Sequence, residues 1–391
     1  CFLVVLFPNY QASSDNRRQK NNNNYKNSRC LGKNSIFDVI ANIKCDKITS
    51  VKKLRGEQHL EKGKSIDALM RHIRNDHNVS INGGKNKKSL MNMGYYHGYK
   101  RYRFIKSTKN IQNFDDFSQI TAIYSFDFEI KRIFYPMIIL VETSMKNRTI
   151  DAVVTRQNSD IESIYKTKLT DYLDYDRNSN DKKEIRKFRD GIKGRLDFRS
   201  VMDQTIGYNY GKNDALSHFV HNSKPIPLWV FFELITFGQF GHFISRLSKE
   251  WRLKVSEANG LQSASFNQNG RMLQNIVFTL TDLRNATMHN SAIFDANFNH
   301  DGIARGLKQF LMLETNIEDI TFDKIIDYLI LLIFVLKKYG YSKTEIKAYV
   351  RQFESAKERL FKSIPRSTYG SLLGMDSNKK IEGIYSFISR T

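Results

Sequence analysis

Apolar positions along this chain fall in steps of three and four rather than in alternation. From Phe114 to Ile150 they recur at Ile120, Ile123, Tyr124, Phe126, Ile130, Ile133, Phe134, Met137, Ile138 and Val141, the stripe of a half-buried helix. Pro136 interrupts this stretch and predicts a kink or a split into two helices. Ser65 to His77 shows the same spacing at Ile66, Leu69, Met70 and Ile73 behind an N-cap serine, and Gly83-Gly84 predicts a break after it. Leu228 to Leu247 follows Pro225 and Pro227, is apolar nearly all round, and reads as one central core helix. Arg271 to Met288 turns Leu273, Ile276, Val277, Leu280 and Leu283 to one side. Asp323 to Lys338 and Ser342 to Lys362 complete the set, the latter opening with a capping box from Ser342 to Glu345. Strand signals are weak throughout, so the expected fold is all-α.

The remaining stretches divide the chain. Residues 1–64 lack periodicity and carry the low-complexity patch Asn21 to Asn24 among lysines and arginines, which predicts a basic, partly disordered extension. Residues 65–320 are expected to form the helical core, with the helices of 321–391 packing on it. Asp151 to Lys212 is polar and charged, with a basic stretch from Lys182 to Arg199. Exposed helices joined by loops are expected there.

Charge narrows the partners. The formal net charge is +22, an excess that favours polyanions. It is clustered: no Asp or Glu occurs between Asp76 and Asp115. Within that window Lys85, Lys87, Lys88, Lys100, Arg101 and Arg103 interleave with Tyr95, Tyr96, Tyr99, Tyr102 and Phe104. Cations for phosphates beside rings for bases form a candidate RNA-facing surface; the alternative is that the tyrosines are core and the charges a solvated face. Cys1, Cys30 and Cys45 have neither CxxC spacing nor partners elsewhere in the chain, which suggests no disulfide framework, no zinc site and a reducing cytoplasm. No cofactor or metal is expected. The longest apolar run, Tyr328 to Leu336, is too short to span a bilayer. The opening CFLVVLFP has no convincing cleavage site behind it, and a membrane-surface role lacks its basic amphipathic helix.

The candidate chemistry lies in Thr281 to Asn290 (TDLRNATMHN). Arg284 and His289 stand five apart, with Asn285 directly after the arginine, and on a helix end this spacing turns the cation and the imidazole roughly to one side. An arginine to hold a phosphate and a histidine to move a proton are the minimum for cutting RNA without a metal. Spacing alone does not decide, because Arg71 and His77, six apart, form a similar R-x5-H pair. Glu142 and Lys146 are an i,i+4 pair that by itself reads as an ordinary surface contact.

Several separated pieces resemble the Abi_2 group of bacterial abortive-infection proteins, the AbiD/AbiF-like set. Met93-Gly94-Tyr95-Tyr96 followed by Gly98-Tyr99 is similar to its GYY…GY segment, and Phe117 to Lys131 to its helix bearing Tyr124, Phe126 and Asp127. Glu142 to Arg148 resembles its E…lR helix end, Pro227 to Gly238 its P.W…E..sFG helix, and Leu283 to Asn290 its RN..aHh segment. The pieces keep the family's order between Ser65 and Phe298. One departs: Asn290 stands where the family often has a second histidine. The resemblance implies a HEPN-like helical bundle whose R-x4-6-H motif falls on Arg284 and His289, with Asn285 as its polar residue and Glu142 and Lys146 in support. It further implies a metal-independent endoribonuclease of anti-phage defence, with two motifs meeting across a homodimer. A non-catalytic protein that holds a structured noncoding RNA is the alternative.

Overall fold

The computed structural model describes residues 63–262, 266–298 and 303–390. The extension expected over residues 1–64, up to residue 62, and its three cysteines lie outside them. Ser65 caps α1 (Ile66–Asp76) by accepting from the Ala68 N–H at 3.3 Å, and Met70 and Ile73 turn inward. Gly83 and Gly84, expected to break the chain, instead open α2 (Gly83–Met93). A π-helical turn over Tyr95–Lys100 follows, and then a short antiparallel hairpin of β1 (Phe104–Ile105) and β2 (Ser107–Ile111), reversing at Lys106 with φ 61°. This hairpin is the only sheet among the described residues; the fold is otherwise all-α.

The axis of the fold is α3 (Phe117–Val153), 37 residues long and capped by Asp116. It runs unbroken through Pro136, where a kink or split into two helices was expected. Pro136 removes one backbone hydrogen bond, but Ile133, Phe134, Met137 and Ile138 around it are all buried, and their burial outweighs that local cost. The polar region then supplies α4 (Ile161–Thr167), a 3₁₀ turn at Asp171–Asp174, α5 (Lys182–Asn209) and α6 (Asp214–His221).

The stretch expected as one core helix is two: α7 (Leu228–Leu234) and α8 (Phe237–Arg246). Its apolar content is buried as expected, but Thr236 stops α7 and starts α8. The Thr236 side chain accepts from the Gln239 N–H at 3.2 Å while Gln239 returns an acceptor to the Thr236 N–H at 2.8 Å, a complete capping box. After α9 (Lys249–Ala258) comes α10 (Met272–Met288), with Leu273, Ile276, Val277, Leu280 and Leu283 buried. It lies against α8, where a Cβ on Gly241 would sit 2.6 Å from the Phe278 ring.

The chain closes with α11 (Arg305–Thr315), α12 (Ile325–Lys338), α13 (Lys343–Ser363), α14 (Arg366–Leu373) and α15 (Ser377–Ser389). Every residue of α12 from Ile325 to Leu336 is buried, and α13 carries the expected capping box of Ser342 and Glu345. The helices α9, α10, α12 and α13 all pack on α3, so this long helix connects the C-terminal layer with the end of α10. No helix among the described residues is long and apolar enough to cross a membrane.

Candidate active site at the end of helix α10

The last turn of α10 closes in a Schellman arrangement. Asn290 adopts the left-handed conformation, φ 54°; its N–H reaches the Thr287 carbonyl at 3.4 Å, and the Ser291 N–H reaches the Ala286 carbonyl at 2.9 Å. Asparagine is among the few residues with a side chain that enter this conformation at low cost. Its Oδ1 also accepts from the Lys131 ammonium at 3.0 Å. The position where the resembled family often has a second histidine is thus a helix stop in this chain.

The loop after that stop is held from two sides. The buried Asp127 of α3 accepts through Oδ1 from the N–H groups of Ile293 and Phe294 at 2.7 and 2.8 Å. Its Oδ2 takes the Tyr102 hydroxyl and the Lys131 ammonium, each at 2.7 Å. Burial and this carboxylate push the Tyr102 pKa up, so the phenol stays a donor. On the other side the wholly buried carboxylate of Asp295 accepts from Arg101 Nη2 at 2.8 Å and from the Lys106 N–H at 2.7 Å. Asn297 Nδ2 donates to the Lys106 carbonyl at 2.6 Å. The β1–β2 hairpin, the residue after the π-helical turn and the loop after α10 are therefore tied together by hydrogen bonds.

Arg284 reaches toward α3. Its Nε lies 3.6 Å from Glu142 Oε2, and its Nη1 is 3.3 Å from Asn285 Oδ1. Glu142 pairs with Lys146 at 3.0 Å, and Lys146 Nζ donates at 2.9 Å to the carbonyl of Ile235, in the break between α7 and α8. Glu142, Lys146, Arg284 and Asn285 are thereby brought into one chain of contacts, as a pair on α3 and a motif on α10 that meet only in three dimensions.

His289 is exposed at the C-cap, its N–H donating to the Asn285 carbonyl at 3.0 Å. It lines a cleft of about 360 Å³ with Arg101, Asp282, Asn285, Ser291 and Asn297. Arg284 and His289, expected on roughly the same side, thus have different neighbours: Glu142 for the first, Arg101 for the second. Asn285 touches both settings. Among the described residues no group of three or more His, Cys, Asp and Glu side chains could hold a metal ion.

The other cationic candidates separate. Lys85 and Lys88 are exposed on α2, and Lys87 pairs with Asp67 at 2.7 Å. Tyr96 is exposed with the Lys100 ammonium 5.6 Å from its ring centre, and Tyr95 stacks on Tyr99. Arg103 lies inside, only 9% exposed, with its guanidinium over the Tyr99 ring; it is part of the interior and not of a surface. The matching spacing of Arg71 and His77 has a structural meaning. His77 stacks on Tyr99 and its Nδ1 is 2.9 Å from the Tyr99 hydroxyl; burial, then Arg103, lowers its pKa to about 4. Sequence reasoning missed the anchoring carboxylate Asp295, a lone acid in a largely apolar loop that no local pattern marks as a partner of Arg101.

The Abi_2 family model, described as Abi-like protein, matches residues 88–295, more than half of the chain. The match begins in α2 and ends at Asp295, so it contains α3, α10 and both anchoring carboxylates. No curated protein and no solved structure matches significantly.

Proposed function

This chain belongs to the Abi-like protein family, and from that premise and the end of α10 we propose that it is a HEPN-type endoribonuclease serving abortive infection. RNA carries its own nucleophile, so the protein needs to position the backbone, move protons and stabilise charge. His289 takes the proton of the ribose 2′-hydroxyl, a task suited to an imidazole near neutral pH. The 2′-oxygen then bonds to phosphorus, the bond from phosphorus to the 5′-oxygen breaks, and that oxygen takes a proton from His289 of the partner subunit, acting as the acid. The products are a 2′,3′-cyclic phosphate and a 5′-hydroxyl. Positive charge beside the cleft stabilises the transition state, Arg284 and Asn285 orient the phosphate or the histidine, and Glu142 with Lys146 holds Arg284 in its rotamer. One histidine serves poorly as both base and acid, so the working form is a homodimer with a composite cleft, acting in the cytoplasm.

The observation that carries this reading is the meeting of Glu142 and Arg284 beside a cleft that His289 lines. The test is His289→Ala, with RNA cleavage and RNA affinity followed separately. Lost cutting with retained binding supports the enzyme, and full activity from a monomer removes the dimer. The net charge of +22 favours a second reading, in which a structured noncoding RNA is held without being cut. Binding without cleavage by both the wild type and His289→Ala selects that one.

A further inference from the structure

We propose that the cleft beside His289 is a phosphate subsite whose gripping cation is Arg101, with Arg284 acting behind it as a positioning residue. The inference rests on the nuclease reading for its role in catalysis, and on geometry for the subsite. Five residues along a helix are a rotation of about 140°, while four are about 40°. Asn285 and His289 therefore share a flank of α10, and Arg284 points away from it, to Glu142 of α3. The cation that lines the cleft with His289 is instead the residue just after the π-helical turn, Arg101.

Arg101 is held the way a preorganised anion ligand is held. Nη2 bonds to Asp295 Oδ1 at 2.8 Å, Nη1 lies 3.4 Å from the Phe104 carbonyl, and the guanidinium carbon sits 4.8 Å from the centre of the Phe294 ring. Asp295 is itself buried and bound to the Lys106 N–H, so it fixes the guanidinium without being able to follow a ligand. These contacts use two of the five N–H groups an arginine carries, and the side chain keeps 30% exposure. A planar fork with free donors, immobile before the ligand arrives, suits a phosphodiester oxygen pair. Arg284 reaches this place through its contact with Asn285 Oδ1.

The experiment uses the full chain, inorganic phosphate, and an RNA oligonucleotide 2′-deoxy at every position, which cannot be cut. In the wild type, inorganic phosphate should shift the His289 ring resonances. Arg101→Gln should abolish that shift and weaken oligonucleotide binding at least tenfold, the loss of one charge-assisted contact pair. Arg284→Gln should keep the phosphate shift and lose cleavage rate. Arg101→Lys retains a charge near Asp295 and guards against misfolding; it should bind between the two. Oligonucleotide binding by folded Arg101→Gln within twofold of the wild type overturns the subsite. Phosphate binding that depends on Arg101 in a protein that never cuts RNA leaves the subsite standing and removes the nuclease instead.

Discussion

Replacing Asp127 by Asn tests whether the end of α10 is fixed from α3. The carboxylate is 1% exposed and receives four donors: two backbone N–H groups, a phenol and an ammonium. Asparagine is nearly the same shape, so no cavity opens. Its amide oxygen can keep the Ile293 and Phe294 N–H groups, which turns its NH₂ toward Tyr102 and Lys131. The Tyr102 hydroxyl can rotate and accept. The Lys131 ammonium, 8% exposed, cannot, and it retains only Asn290 Oδ1. A lost hydrogen bond to a charged group costs about 1.5–3 kcal/mol, and stranding a buried charge costs about 3–5 kcal/mol. The expected loss is therefore about 3 kcal/mol for Asp127→Asn, and toward the upper end of that range for Asp127→Ala. Urea titration followed by the fluorescence of Trp229 and Trp251 measures it. Hydrogen exchange at Ile293 and Phe294 reports whether the loop has loosened. Adding Lys131→Met to Asp127→Asn should recover part of the loss, because the stranded charge is gone. A loss within about 0.5 kcal/mol, the range of neutral surface changes, with unchanged protection at both amides would refute the reasoning. The desolvation cost of Asp127 would then cancel its contacts.

Two further outcomes follow from the GYY…GY segment and its neighbours. A Cβ on Gly98 would lie 2.3 Å from the Met93 carbonyl oxygen, a backbone atom with little room to shift, so Gly98→Ala should cost about 3 kcal/mol or prevent folding. Gly84→Ala, with nothing within 4 Å, is the control and should be nearly neutral, both read by thermal melting. His77 is the acid-sensitive group of this region: its pKa is lowered from 6.5 to about 4 by burial and Arg103. Below pH 6.5 the unfolded chain binds a proton there that the folded protein refuses, so its contribution to stability, whole above 6.5, declines as the pH falls toward 4. His77→Gln should flatten that part of the stability–pH curve, and unchanged slopes between pH 6.5 and 4 would contradict the assignment.

How much was legible varies with the range of the interaction. The capping serines at 65 and 342 and the inward face of α10 were read correctly, because each depends on residues within a turn or two. The same locality explains two errors. Pro136 argued for a kink or a split into two helices, and the split did not occur because the buried residues around it hold α3 together. Thr236 and Gln239 gave a capping signal that the surrounding apolar run concealed. At the site, the motif of Arg284, Asn285 and His289 and the pair of Glu142 and Lys146 were visible as spacings. Their meeting was not, and neither was the burial of Arg103, since its charge alone argues for a surface.

The order and type of the helices, the basic balance and the residues to mutate first were thus written in the amino-acid sequence, through periodicities that hold on any helix. The tertiary structure decided which of them face one another. Arg101 and Asp295 stand 194 positions apart, and Asp127 and Ile293 stand 166 apart; a spacing rule has no reach over such distances. The burial of α3 against α10 brings Glu142 to Arg284, and the buried Asp295 holds Arg101 beside His289. The physical reason is that a helix period states which way a side chain points, while the partner it meets is chosen by how whole helices bury their apolar faces.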